Sequence, residues 1–111
     1  MSALYIMRYV GHASDGFGSV YIGRGKIVGV DVTNIRYQGS YEEANGRLKA
    51  NITMKAPPGG SQLVTGQKLP SGQTVPLTAD WPADFANGKP QQLSVMGQPI
   101  QVMFEKIGDI P

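Results

Sequence analysis

With 111 residues, no cysteine and one histidine, the chain lacks the material for disulfides, thiolate metal sites or a cysteine nucleophile. Its net charge of +2 and 16% charged residues are too slight for the dense basic stripe of a nucleic-acid binder. Its 15 glycines, with proline, asparagine and serine at short intervals, read as one domain of many strands and turns rather than helices.

The first strand is read over 3–11. It has no basic lead-in and Arg8 interrupts its apolar run, so it resembles neither a signal peptide nor a bilayer span. That reading makes the protein cytoplasmic, with no membrane partner. The stretch "VGHASDG" follows, where His12 lies beside Ser14 and Asp15. Closeness in sequence is no substitute for triad geometry, and no G-x-S-x-G elbow occurs. His12 is read as a loop residue.

The next segment, "DGFGSVYIGRGK", imitates the phosphate-covering glycine loop of a protein kinase. The partners of such a loop are missing. Lys26 precedes the following strand instead of lying within it, and no H-R-D occurs. Asp84-Phe85-Ala86 lacks the glycine of a metal-binding D-F-G. The glycines are therefore read as turn chemistry, with Gly23 and Gly25 joining antiparallel strands over 17–23 and 26–32. In the second of these, Val28, Val30 and Val32 share the face expected to meet the core. Asp31 then falls on the opposite face with Ile27 and Gly29. Were a bulge to turn Asp31 inward, it would need hydrogen-bond donors, and a structural role is expected for it rather than a catalytic one.

Alternation is clearest next. Ile35, Tyr37, Gly39 and Tyr41 share one face of the strand over 37–42 and its lead-in. Leu48, Ala50, Ile52 and Met54 share one face of the strand over 47–54. Asn45-Gly46 between them is a two-residue hairpin signal. Tyr37, Tyr41, Leu48 and Ile52 are the residues expected to border an interior cavity, if the barrel keeps one. Arg47 and Lys49 are read as a wet face, not a nucleic-acid patch. Further strands are expected over 62–66, 73–79, 91–96 and 100–107. "APPGG" is excluded from any central strand, and "DWPADFANGK" is the one place expected to hold a short helical turn or a wide loop.

About eight short antiparallel strands in sequence must manage their edges, and closure into an up-and-down barrel does so completely. The expected fold is thus all-β, a single closed barrel over 1–111, with a β-sandwich as the alternative. A barrel of this size is either plugged by side chains or holds one small apolar ligand. No metal, cofactor or enzymatic site is expected, since the pieces of an active site do not occur together.

Residues 25–41, "GKIVGVDVTNIRYQGSY", resemble the signature of the GrlR family of small bacterial regulators of type III secretion genes. The shared pattern falls on Gly25, Lys26, Ile27, Gly29, Asp31, Tyr37 and Gly39, with Tyr41 following. "ALYIMRYV" and "IQVMFEKI" extend the likeness through most of the chain. The resemblance implies a lipocalin-like barrel of about eight strands, commonly a homodimer, that acts by sequestering a transcriptional activator. The family's namesake carries an exposed acidic run after the aromatic-glycine segment. Here that place reads Glu42-Glu43-Ala44-Asn45, which makes Glu42 and Glu43 the candidate partner contacts.

Overall fold

The computed structural model describes residues 2–111, and all regular structure in them is β. The strands are β1 Ser2–Val10, β2 Asp15–Gly23, β3 Lys26–Asp31, β4 Arg36–Ala44, β5 Arg47–Lys55, β6 Ser61–Gln62, β7 Lys68–Leu69, β8 Thr74–Pro82, β9 Gln91–Val95 and β10 Gln98–Asp109. Eight of them form one antiparallel sheet in the order β8-β5-β4-β3-β2-β1-β10-β9, while β6 and β7 pair as a separate ribbon. The sheet curls until β8 and β9 lie side by side, leaving a barrel closed except for one seam. At the seam, the Trp81 indole N–H donates to the Gln92 carbonyl at 2.9 Å.

Two-residue turns set the register. Arg24-Gly25, Asn45-Gly46 and Met96-Gly97 all have both φ values positive, the geometry whose twist matches flanking strands. The seam explains a proline inside a long strand. Pro76 lies in β8, which has a sheet neighbour on one side only, so no ladder bond is lost.

The interior is filled unevenly. Tyr5, Trp81, Phe85 and Phe104 meet in tilted and edge-on contacts with ring centroids 5.1–6.4 Å apart. They plug one end of the barrel. Phe85 comes from the 83–90 connection, which is a wide loop with no helical turn. Its burial anchors that loop to the core.

Three expectations need correction. The 62–66 segment is not a barrel strand: Leu63 to Val64 and onward belong to a loop beside the small β6/β7 ribbon. β8 runs on to Pro82, because Trp81 turns inward against the aromatic end. The faces of β3 are also opposite to the reading of the sequence. Val28, Val30 and Val32 are exposed, and Ile27 and Asp31 are buried. The Arg24-Gly25 turn places Gly23 opposite Lys26, hence Ile22 opposite Ile27, Val20 opposite Gly29 and Gly18 opposite Asp31. A one-residue shift exchanges the faces of a strand, and this register leaves Asp31 inside without a bulge.

Candidate functional site

Asp31 ends β3 at the open end of the barrel, where the chain leaves the sheet and returns as β4. Its exposure is 6%, and its carboxylate is the centre of a hydrogen-bond cluster. Oδ1 accepts from the Thr33 amide at 2.9 Å, the Thr33 hydroxyl at 2.6 Å and the Ile35 amide at 3.1 Å. Oδ2 accepts from the Tyr9 hydroxyl at 2.7 Å and the Tyr37 hydroxyl at 2.8 Å. The first three bonds fold the 31–35 turn, in which Asn34 takes the left-handed conformation with φ 65°. The other two tie β1 and β4 to the end of β3.

The cluster holds a buried negative charge on neutral donors alone. The ion pairs among the described residues, Arg8–Glu105, Arg47–Asp80 and Lys106–Asp109, all lie on the surface. Hydrogen bonds from neutral donors to an anionic acceptor are charge-assisted, and five of them make such a carboxylate tolerable in an apolar interior. The phenols answer in kind. Burial raises the Tyr9 pKa above its ordinary value, reinforced by its bond to Asp31 and that residue's charge. Burial likewise raises Tyr37, followed by the Asp31 charge. Both therefore remain protonated donors through the neutral range.

The glycines of "DGFGSVYIGRGK" make room for this cluster. A Cβ on Gly16 would lie 2.6 Å from the Tyr9 ring, and one on Gly18 would lie 2.5 Å from the Val30 carbonyl oxygen and 2.7 Å from the Asp31 Cα. Gly29 and Gly39 similarly abut the neighbouring strands at Ser19/Val20 and Asn51/Ile52.

Beside the cluster the barrel holds a cavity of about 150 Å³ that is partly open to solvent. Val20, Ile22, Ile52, Val95, Val102 and Phe104 form much of its apolar wall, Tyr9, Asp31, Thr33 and Tyr37 form the polar wall at the cluster, and Ser14, Asp15, Gln62 and Thr65 add polar groups nearer solvent. The loop carrying Leu63 and Val64 crosses its mouth. There the Val64 carbonyl accepts from the Ala13 amide at 2.8 Å and the Ser14 amide at 3.1 Å.

Among the cavity residues expected from the sequence, Tyr37 and Ile52 stand on the wall, while Tyr41 and Leu48 do not. Leu48 lies opposite Trp81, at the end that the aromatic cluster fills. Glu42 and Glu43 are exposed near the β4–β5 turn, opposite Lys49 and Leu48. His12 is exposed in the β1–β2 loop. No grouping of three metal-ligating side chains occurs among the described residues. Tyr9 and Thr33 escaped the sequence reading. The spacing Asp31-Val32-Thr33 is a turn signal that would have found Thr33, whereas the Tyr9 contact spans 22 residues.

The outer surface is as uneven as the interior. Among the described residues, Val10, Phe17, Val28, Val30, Val32, Met103, Ile107 and Ile110, eight of the nine exposed large apolar residues, lie on or directly beside β10, β1, β2 and β3. These four strands are adjacent in the sheet. The outward positions of β4 and β5 are Arg36, Gln38, Ser40, Glu42, Ala44, Arg47, Lys49, Asn51, Thr53 and Lys55, all polar except Ala44 beside the turn.

No family model, curated protein or solved structure matches the chain.

Proposed function

We propose that the chain is a non-enzymatic, GrlR-like regulatory protein that holds a protein partner on the outside of its barrel. The observation supporting this is the one-sided exterior: exposed large apolar side chains gathered on β10-β1-β2-β3, set against a face on β4 and β5 that is polar apart from Ala44. Exposed large apolar side chains gathered on one side of a molecule mark a contact site. Both central strands of the face already have hydrogen-bonded neighbours on each side. The partner therefore meets side chains rather than adding a strand. The exposed Arg8–Glu105 pair crosses the same face and gives it a polar element for orientation.

On this reading the chain works in the cytoplasm as a homodimer, and its partner is a transcriptional activator of type III secretion genes. Glu42 and Glu43, the contacts that the resemblance suggests, lie near the β4–β5 turn, Glu42 on the polar face and Glu43 opposite Leu48, and serve as a secondary acidic element. The test is affinity capture from the native bacterium with the wild-type chain and with the Phe17→Glu/Val30→Glu variant, each checked for an unchanged β spectrum. A stoichiometric DNA-binding protein should accompany the wild type and be lost with the variant. Recovery of the barrel alone in both cases, or of the same partner with both, would overturn the reading.

A second reading is favoured by the cavity beside Asp31: a calycin-like barrel that binds a small apolar molecule inside.

A further inference from the structure

The polar wall of the cavity is one-sided in its hydrogen bonding, and that limits what can enter. Each hydroxyl in the cluster has a single proton, and all three, from Tyr9, Thr33 and Tyr37, are given to Asp31. The Trp81 indole N–H, also on the wall, is given to Gln92 across the seam. Facing the cavity, the phenol oxygens retain only lone pairs, with the Asp31 charge directly behind them. The wall beside Asp31 thus offers acceptors and negative charge; the other polar residues of the lining, exposed Ser14, Asp15 and Gln62 and half-buried Thr65, lie toward solvent.

Size sets the second limit. The cavity measures about 150 Å³, and an apolar cavity of about that volume accommodates benzene. A fatty acyl chain exceeds that volume, so no more than a short part of one fits beside the cluster. Beside the cluster a carboxylate is excluded by charge, since it would face acceptors and a like charge with its own hydration removed. An O–H or N–H group on a ring would instead donate to a phenol oxygen whose partner, a carboxylate, polarises it toward stronger acceptance.

Deepening the second reading above and resting on it, we infer that the cavity binds a one-ring arene carrying an O–H or N–H donor. The donor lies against the Tyr9 and Tyr37 oxygens and the ring against Val20, Ile52, Val95 and Val102. The methionines report where a probe binds. Met7 and Met54 line the cavity, whereas Met96 and Met103 are exposed at 41% and 39%.

The experiment is a titration of the full chain, carrying ¹³C-methyl methionine, with phenol, anisole and benzoate at neutral pH. Phenol should shift the Met7 and Met54 signals saturably and leave Met96 and Met103 in place. Anisole, the same ring without a donor, should bind about fivefold more weakly or worse. Benzoate should leave all four signals unmoved at concentrations where phenol saturates. If benzoate or anisole matches phenol at Met7 and Met54, the donor-bearing class is wrong while a ligand-binding barrel stands. If no probe moves Met7 and Met54, or only Met96 and Met103 respond, both the class and the second reading fall. None of these results bears on the exterior contact face, which the variant capture tests separately.

Discussion

The Asp31 cluster makes a quantitative demand on stability. Tyr37→Phe removes one hydroxyl and leaves the carboxylate with its other four donors. Hydrogen bonds to a charged group contribute about 1.5–3 kcal/mol each, so Tyr37→Phe and Tyr9→Phe should each cost that much. Both hydroxyls serve the same oxygen, Oδ2. Removing both leaves a buried anionic oxygen with no donor from either tyrosine, and the double variant should lose about 1 kcal/mol beyond the sum of the single losses. Tyr21→Phe is the control, because its hydroxyl meets the neutral Ser2 hydroxyl at 2.9 Å in a part-buried pair. It should cost below about 1 kcal/mol. Urea unfolding followed by circular dichroism gives all four values, provided the slopes agree between variants. In heat, each kcal/mol should lower the midpoint by about 4–8 °C. The reasoning is refuted if Tyr37→Phe is as mild as Tyr21→Phe, or if the double loss is simply additive.

Two other outcomes follow from the same geometry. Tyr9 and Tyr37 ionise at higher pH in the folded chain than their ordinary value of 10.0, so their contribution is complete below pH 10 and is lost as pH rises above it. Each such phenol adds a fall of about 1.4 kcal/mol per pH unit there; Tyr37→Phe should make the alkaline fall in urea midpoint shallower by one proton's worth, and an unchanged slope would contradict the assignment. Gly18→Ala would drive a Cβ to within 2.5 Å of backbone on β3, so unfolding experiments should show a loss of about 1–3 kcal/mol. Gly108→Ala, which meets nothing within 4 Å, should change stability by less than about 0.5 kcal/mol, and equal effects at the two glycines would exclude a close-approach role.

Much of the architecture was legible because the local signals are strong. Asn45-Gly46 sits between two alternating strands, and both the turn and the inward faces of β4 and β5 follow the pattern. β3 was misread for a definite reason. "KIVGVD" is apolar on both faces, so alternation alone cannot orient it; the turn at Arg24-Gly25 can, once Ile22 is known to be inside. The site inherits that difficulty. Asp31 was singled out as a residue that would need donors if it turned inward, but two of them, Tyr9 and Tyr37, come from other strands. No local pattern reports those contacts, because strand order around the barrel determines them. The exterior face was hidden for the same reason: the valines that make it visible were assigned to the core.

The contrast between the two ends of the barrel bears on what the cavity is. At one end the chain supplies Tyr5, Trp81, Phe85 and Phe104, and the space is filled. At the other it supplies Val20, Val95 and Val102 around an open volume of about 150 Å³. Unfilled volume forfeits packing at about 24 cal/mol per Å³, which for this cavity comes to about 3–4 kcal/mol. Large residues are not scarce in the chain: Tyr5 and Phe85 lie in the aromatic end, and Trp81 and Phe104 stand between that end and the cavity. Glycines at 16 and 18 are the counterpart of this arrangement. They let Tyr9 and the end of β3 lie close against β2, so the cluster forms a thin polar wall and the volume beside it stays open. The open volume thus depends on the same residues that hold the buried charge. A reading of this barrel as simply underpacked would leave unexplained why its one buried carboxylate stands on the cavity wall with every hydroxyl around it turned the same way.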